Sequence, residues 1–208
     1  MSVSETIHSY DVYFSRKIHH MTIGIGEYLA VFFGFIFNQF LIWVVPFLIY
    51  LQVNRSDCIR KNLLEGVDQA NVPQSVAIVM IVYYVVTIVL TVLCTQSAKI
   101  LFGRVRPELT NPNQKFNLRK FEGNCSMPSG DTAQSANFGL LMAINFENPA
   151  YVLVCLPVAF SRVYFQLHWI GDTVIGALIG MGVSLTAELI KPQIVSLICV
   201  LLRSIFNA

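Results

Sequence analysis

Charge is scarce in this sequence. Asp, Glu, Lys and Arg make up 12% of its 208 residues, about half of the roughly 25% usual in soluble domains. With 55% hydrophobic residues and a mean hydropathy of +0.61, the balance excludes an ordinary soluble domain and points to an integral, multi-pass membrane protein. A formal net charge of +2 is too small to argue for a nucleic-acid partner. A disulfide framework is also missing. Cys58, Cys94, Cys125, Cys155 and Cys199 are odd in number and scattered, and they read as packing residues. No metal site is expected, because His19-His20 has no ligand-type residue at ligand spacing nearby. Internal repeats and low-complexity tracts are absent, as is a cleavable signal peptide with an apolar core.

What remains is a series of apolar runs separated by short polar stretches. Residues 1–27 form a polar lead, expected as an interfacial amphipathic helix, and residues 28–208 a single membrane domain. The first span is expected over Tyr28–Val53, kinked by Pro46. A polar loop, 54–72, contains the sequon Asn54-Arg55-Ser56. A second span runs from Pro73 to Phe102 and carries Lys99 in its last turns. Arg106 follows seven residues later, about two turns on and on nearly the same face, and Pro107 stops the helix. The loop 108–127 is basic through Lys115, Arg119 and Lys120 and holds a second sequon, Asn124-Cys125-Ser126. Ser129 then N-caps a short run to Phe146, and Asn148-Pro149 turns the chain into another that ends near Phe165. These two make a helical hairpin buried among the other helices. A further run, 170–190, contains Gly176-x-x-x-Gly180, suited to close helix packing, and a last one covers 194–206. The expected fold is therefore all-α, a polytopic bundle of about six transmembrane or buried apolar helices.

The stretch from Ser161 to Asp172 holds a cation, an imidazole and a carboxylate. Arg162 offers a planar fork for an oxyanion. His168 and Asp172 are four apart and share a face on a helix. The carboxylate would then accept a hydrogen bond from one ring nitrogen and leave the other as a lone pair, to attack or to bind a metal. The same residues also fit a plain helix-end ion pair between Arg162 and Asp172. Parity favours chemistry. If successive helices reverse, Lys99 and Arg106, the helix start at Ser129-Gly130, and Arg162 to Asp172 all reach one membrane face. Three cations, a helix N-terminus, a histidine and its carboxylate make the composition of a phosphate site. Charges gathered at one surface do not line a path across the membrane, so a channel or transporter is disfavoured.

Lys99-x6-Arg106-Pro107, Pro128-Ser129-Gly130 and Ser161-Arg162-x5-His168-x3-Asp172 resemble, in order and spacing, the three signature motifs of the type 2 phosphatidic acid phosphatase superfamily. That superfamily includes lipid phosphate phosphatases, polyprenyl diphosphate phosphatases and vanadium-dependent haloperoxidases. The resemblance implies His168 as nucleophile through a phosphohistidine and Asp172 as its orienting carboxylate. It implies a phosphate clamp of Lys99, Arg106 and Arg162 with Ser129 and the Gly130 amide, and no metal or other cofactor. The expected partners are membrane lipids, among them a lipid phosphate or diphosphate substrate.

One position departs from the motif. The family's second motif normally ends in a histidine that protonates the leaving group, and this chain has Asp131. A carboxylate is a poor acid there, so Asp131 is a doubtful catalytic residue. Expelling a phosphate monoester from a diphosphate tolerates weak acid assistance, whereas expelling an alkoxide does not. Polyprenyl or other lipid diphosphates are the favoured substrates on this ground. The alternative expectation is a catalytically impaired member that serves as a structural subunit of a membrane complex or binds anionic lipid.

Overall fold

The computed structural model describes residues 3–38, 42, 44–53, 57–67, 75–112 and 114–206. Among them the chain is all-helical, apart from one isolated antiparallel bridge between Val105 and Cys125. The helices are α1 (Val3–His19), α2 (Gly26–Ile36), α3 (Val44–Val53), α4 (Asp57–Leu63), α5 (Val76–Phe102), α6 (Gly130–Asn145), α7 (Cys155–Tyr164), α8 (Ile170–Leu189) and α9 (Lys191–Phe206). Short 3-10 turns cover Leu118–Phe121 and Pro149–Val154. The core lies where α3, α5, α6 and α9 meet, around Ile49, Tyr83, Tyr84, Leu141 and Cys199. All five cysteines are thiols.

Three expected boundaries move. The run from Tyr28 to Val53 is two helices, not one span. A helix through residues 42–46 would drive the Pro46 ring into the carbonyl of Ile42, so the proline instead sits in the first turn of α3, where it is tolerated. The interruption leaves Phe37, Asn38 and Ile42 buried between the two helices. The polar loop 54–72 contains α4, which buries Ile59 and Leu63. The sequon at residues 54–56 lies outside the described residues. Finally, α5 stops at Phe102, because Gly103 takes φ +54 as a left-handed C-cap. Arg106 is therefore on the extended segment beyond the helix and does not share a helical face with Lys99.

The tightest helix contact is α6 on α8. A Cβ on Gly176 would land on the Ser129 carbonyl oxygen, and one on Gly180 on the Ala133 carbonyl oxygen. The two backbones touch, so the start of α6 is pressed against α8. Polar groups lock the same region. Asn137 Nδ2 donates to Thr87 Oγ1 of α5 (3.0 Å), and Ser184 Oγ of α8 donates to Asn137 Oδ1 (2.8 Å), all three residues being fully buried. On the other flank, Ser161 Oγ donates to the Ala30 carbonyl (2.6 Å) and sits where a Cβ on Gly34 would fall, which fixes α7 against α2.

The contact at Gly180 predicts an asymmetric response. Gly180→Ala must push α6 away and should cost roughly 1–3 kcal/mol. Gly182→Ala, whose Cβ meets nothing within 4 Å, should be neutral or slightly stabilising through helix propensity. Thermal melting in detergent compares the two, and equal shifts would contradict the close packing.

Candidate active site

The clamp is built from three segments. The chain leaving α5 carries Arg104 and Arg106, and its bridge partner Cys125 brings residues 122–126 alongside. Ser129 N-caps α6: its Oγ accepts from the Thr132 amide and is 2.9 Å from Thr132 Oγ1. After α7, Gln166 takes φ +57, and Leu167 and His168 fold back to donate their amides to the Arg162 carbonyl. This reversal turns the His168 ring inward, with 1% of the residue exposed.

His168 Nδ1 is 2.6 Å from the Ser126 carbonyl, so Nδ1 carries the proton and donates it there. Nε2 is left as an acceptor, 3.2 Å from Arg106 Nη1. Asp172 was the expected acceptor for the ring. Its Oδ2 is 3.7 Å from Nδ1, an electrostatic contact rather than a hydrogen bond. Its oxygens are taken by the Trp169 amide (2.9 Å) and by Arg104 Nη1 (2.8 Å). Arg162 does not pair with Asp172. Burial, together with the neighbouring Arg162 and Arg106 cations, pushes His168 down from 6.5 to about 4, against the opposing pull of Asp172. The ring is thus neutral at physiological pH, with its Nε2 lone pair directed at Arg106.

Arg106 is fully committed. Nε donates to the Gly123 carbonyl (2.7 Å), Nη1 to the Leu167 carbonyl (2.7 Å) and Nη2 to Glu122 Oε2 (3.0 Å). Arg162 donates from Nη1 to the Gly34 carbonyl (3.1 Å) and ion-pairs with Asp131 Oδ2 (2.9 Å), while Nη2 pairs with Glu122 Oε1. Its buried Nε has no partner. Lys99, Glu122, Gly130, Asp131, Arg162 and His168 line one cavity of about 570 Å³. From these polar groups the cavity continues along α5 past Ile88 and Val92 to Phe37 and Ile42. A Cβ on Gly130 would meet nothing within 4 Å, so the helix start opens into free space. Ser129 is fully buried and does not line the cavity, and its hydroxyl serves as a cap.

Sequence reasoning missed five contributors. Glu122 bridges both arginines. Burial opposes its charge, but Arg162, His168 and Arg106 outweigh that and hold its carboxyl below the usual range. Its one signal was an acid within a basic loop that also begins with Glu108. Arg104 pairs with Asp172 and, at 2.7 Å, with Asp11 of α1. Asp11 and Ser15 also accept the Gly171 and Ile170 amides (2.8 and 2.9 Å), so α1 caps the start of α8. Asn38 Nδ2 reaches Asp131 Oδ2 at 3.4 Å. Nothing in the local sequence marked Arg104, Asp11 or Asn38 for these roles, because each partner is more than sixty residues away.

The cavity thus joins two cations, two carboxylates and a neutral imidazole at one end to an apolar lining at the other. The PAP2 superfamily model matches residues 80–194, more than half of the chain, so this protein belongs to the PAP2 superfamily and is lipid phosphatase-like. The solved structure of LpxE from Aquifex aeolicus is similar, with 18% identity, a TM-score of 0.56, and coverage of 86% of this chain and 93% of that one. At that identity the likeness speaks for the fold. A search of curated proteins gives no significant match.

The lowered pKa of His168 sets a pH test. Its Nε2 should react with diethyl pyrocarbonate with half-maximal rate near pH 4, read by mass spectrometry of the modified peptide. A half-maximum near 6.5 would contradict the buried, cation-flanked ring. Because the unfolded chain binds this proton more readily, the same shift makes stability fall as pH drops from 6.5 toward about 4.

Proposed function

We propose that this protein is a multi-pass membrane phosphatase that hydrolyses a lipid diphosphate through a phosphohistidine at His168. The supporting observation is the neutral His168 ring, whose unprotonated Nε2 faces Arg106 Nη1 at 3.2 Å and lines the same cavity as Arg162. In this reading Nε2 attacks the terminal phosphorus, and the bond from that phosphorus to the bridging oxygen breaks. A lipid monophosphate leaves with the electron pair. Water then breaks the P–N bond, releasing orthophosphate and restoring the imidazole. Lys99, Arg106, Arg162 and the Gly130 amide stabilise the equatorial oxygens.

The lipid assignment is supported by the apolar end of the cavity and by the outer surface. Val76–Phe102 and Ile170–Leu189 are long and apolar enough to cross a membrane. Leu93, Leu101, Leu156, Leu178 and Leu197 point outward, each more than half exposed. On α1, Tyr10, Tyr13 and Phe14 are exposed beside Lys17, the pattern of a helix at a membrane surface.

The diphosphate assignment rests on the absence of a histidine at position 131. Asp131 Oδ2 ion-pairs with Arg162, which favours the ionised carboxylate, but burial and the nearby Glu122 carboxylate outweigh it and push the carboxyl above its ordinary range, without making it the equal of a histidine. Of the described histidines only His168 lines the cavity. A second reading, a catalytically impaired member acting as a structural subunit or lipid binder, is favoured by one feature: Glu122 and Asp131 already neutralise the arginines.

Purified protein in detergent, offered a polyprenyl diphosphate and a phosphatidic acid, separates these readings. The expected result is orthophosphate release from the diphosphate, about 10²-fold faster than from the monophosphate, and lost in His168→Ala. Asp131→His should raise monophosphate hydrolysis. Equal rates on both lipids would remove the diphosphate assignment. No release from folded protein would favour the impaired reading.

A further inference from the structure

The clamp already holds an anion that belongs to the protein. Glu122 presents one carboxylate oxygen to Arg106 Nη2 at 3.0 Å and the other to Arg162 Nη2. The two guanidinium groups grip both oxygens of one carboxylate, as the same forks would grip two oxygens of a phosphoryl group. Glu122 also lines the cavity that opens on His168. We infer that Glu122 is an internal occupant of the phosphate seat, a specificity-determining carboxylate that the substrate's phosphate must displace before its phosphorus approaches His168 Nε2.

The inference rests on the phosphate-site reading above, and the geometry allows the exchange. The backbone on either side of Glu122 is anchored. Glu27 Oε1 accepts the Lys115 and Phe116 amides (2.7 and 3.2 Å), and Gln166 Oε1 accepts the Thr110 amide (2.7 Å). Downstream, the Ser126 amide donates to the Arg104 carbonyl at 2.8 Å. The Glu122 side chain lines the cavity and is 10% exposed there, so the exchange calls for its side chain to move and not for its anchored backbone to do so. Other cations act on it as well. Arg119 and Lys99 both interact electrostatically with Glu122. Among the described residues Lys99 has no carboxylate within ion-pair distance.

A site held by its own carboxylate binds weakly charged ligands poorly, because exchanging one monoanion for another gains little. A phosphate carrying two negative charges gains more from the same two guanidinium groups. If the seat is free in about 10% of molecules, apparent phosphate affinity is lowered about tenfold.

Calorimetric titration of orthophosphate into wild type, Glu122→Gln and Glu122→Asp tests this, with thermal melting as the check on folding. Glu122→Gln should bind phosphate about tenfold tighter. Glu122→Asp, whose shorter side chain cannot reach both guanidinium groups, should gain less, and it carries the test if the Gln variant does not fold. Phosphate affinity unchanged or weakened in a folded variant would overturn the inference and make Glu122 a fixed counter-ion. No phosphate binding by any of the three would overturn it together with the phosphate-site reading. Tighter binding in Glu122→Gln without turnover of any lipid would uphold the inference while removing the phosphatase assignment.

Discussion

Two buried guanidinium groups set the terms for this structure. Arg106 and Arg162 are 3% and 2% exposed in a chain with few charges to spare. A buried cation is costly unless its donors are met. Their donors reach the carbonyls of Gly34, Gly123 and Leu167 and the carboxylates of Glu122 and Asp131. Those partners come from α2, from the loop after α5, from the turn before His168 and from the first turn of α6. Partnering the donors of these two side chains, all but Arg162 Nε, therefore ties together four parts of the chain that are far apart in sequence.

The remaining polar residues follow from that arrangement. Asp172 is fully buried and needs a cation, which Arg104 supplies, and Arg104 in turn holds α1 through Asp11. His168 is turned inward by the backbone reversal at Gln166 and oriented by a carbonyl, not by a carboxylate. The glycines of α8 bring α6 near enough for the Ser129 amide to donate to the Asp172 carbonyl at 2.9 Å. Packing, capping and the placement of the His168 ring are thus parts of one construction.

Much of this was legible in the residues. The long apolar runs gave the helices of α5 and α8, Ser129 gave the start of α6, and Gly176 and Gly180 gave the close contact. Lys99, Arg106, Gly130, Arg162 and His168 could be assembled by parity before any coordinates. What could not be read was pairwise and long-range. Gly103 ended α5 one turn earlier than Pro107 would have, and Pro46 split an apolar run instead of bending it. Hydrogen-bond partners such as the Ser126 carbonyl carry no side-chain signature. Glu122 looked like one acid in a basic loop, because its meaning depends on two arginines sixteen and forty residues away.

The central claim is covalent chemistry at His168, and trapping it is the most direct test. The protein would be mixed briefly with a lipid diphosphate labelled in its terminal phosphate, then denatured in alkali and digested. An alkali-stable, acid-labile label is expected on the peptide that contains His168, absent from His168→Ala. Label-free protein from reactions that release phosphate, with release surviving in His168→Ala, would contradict it.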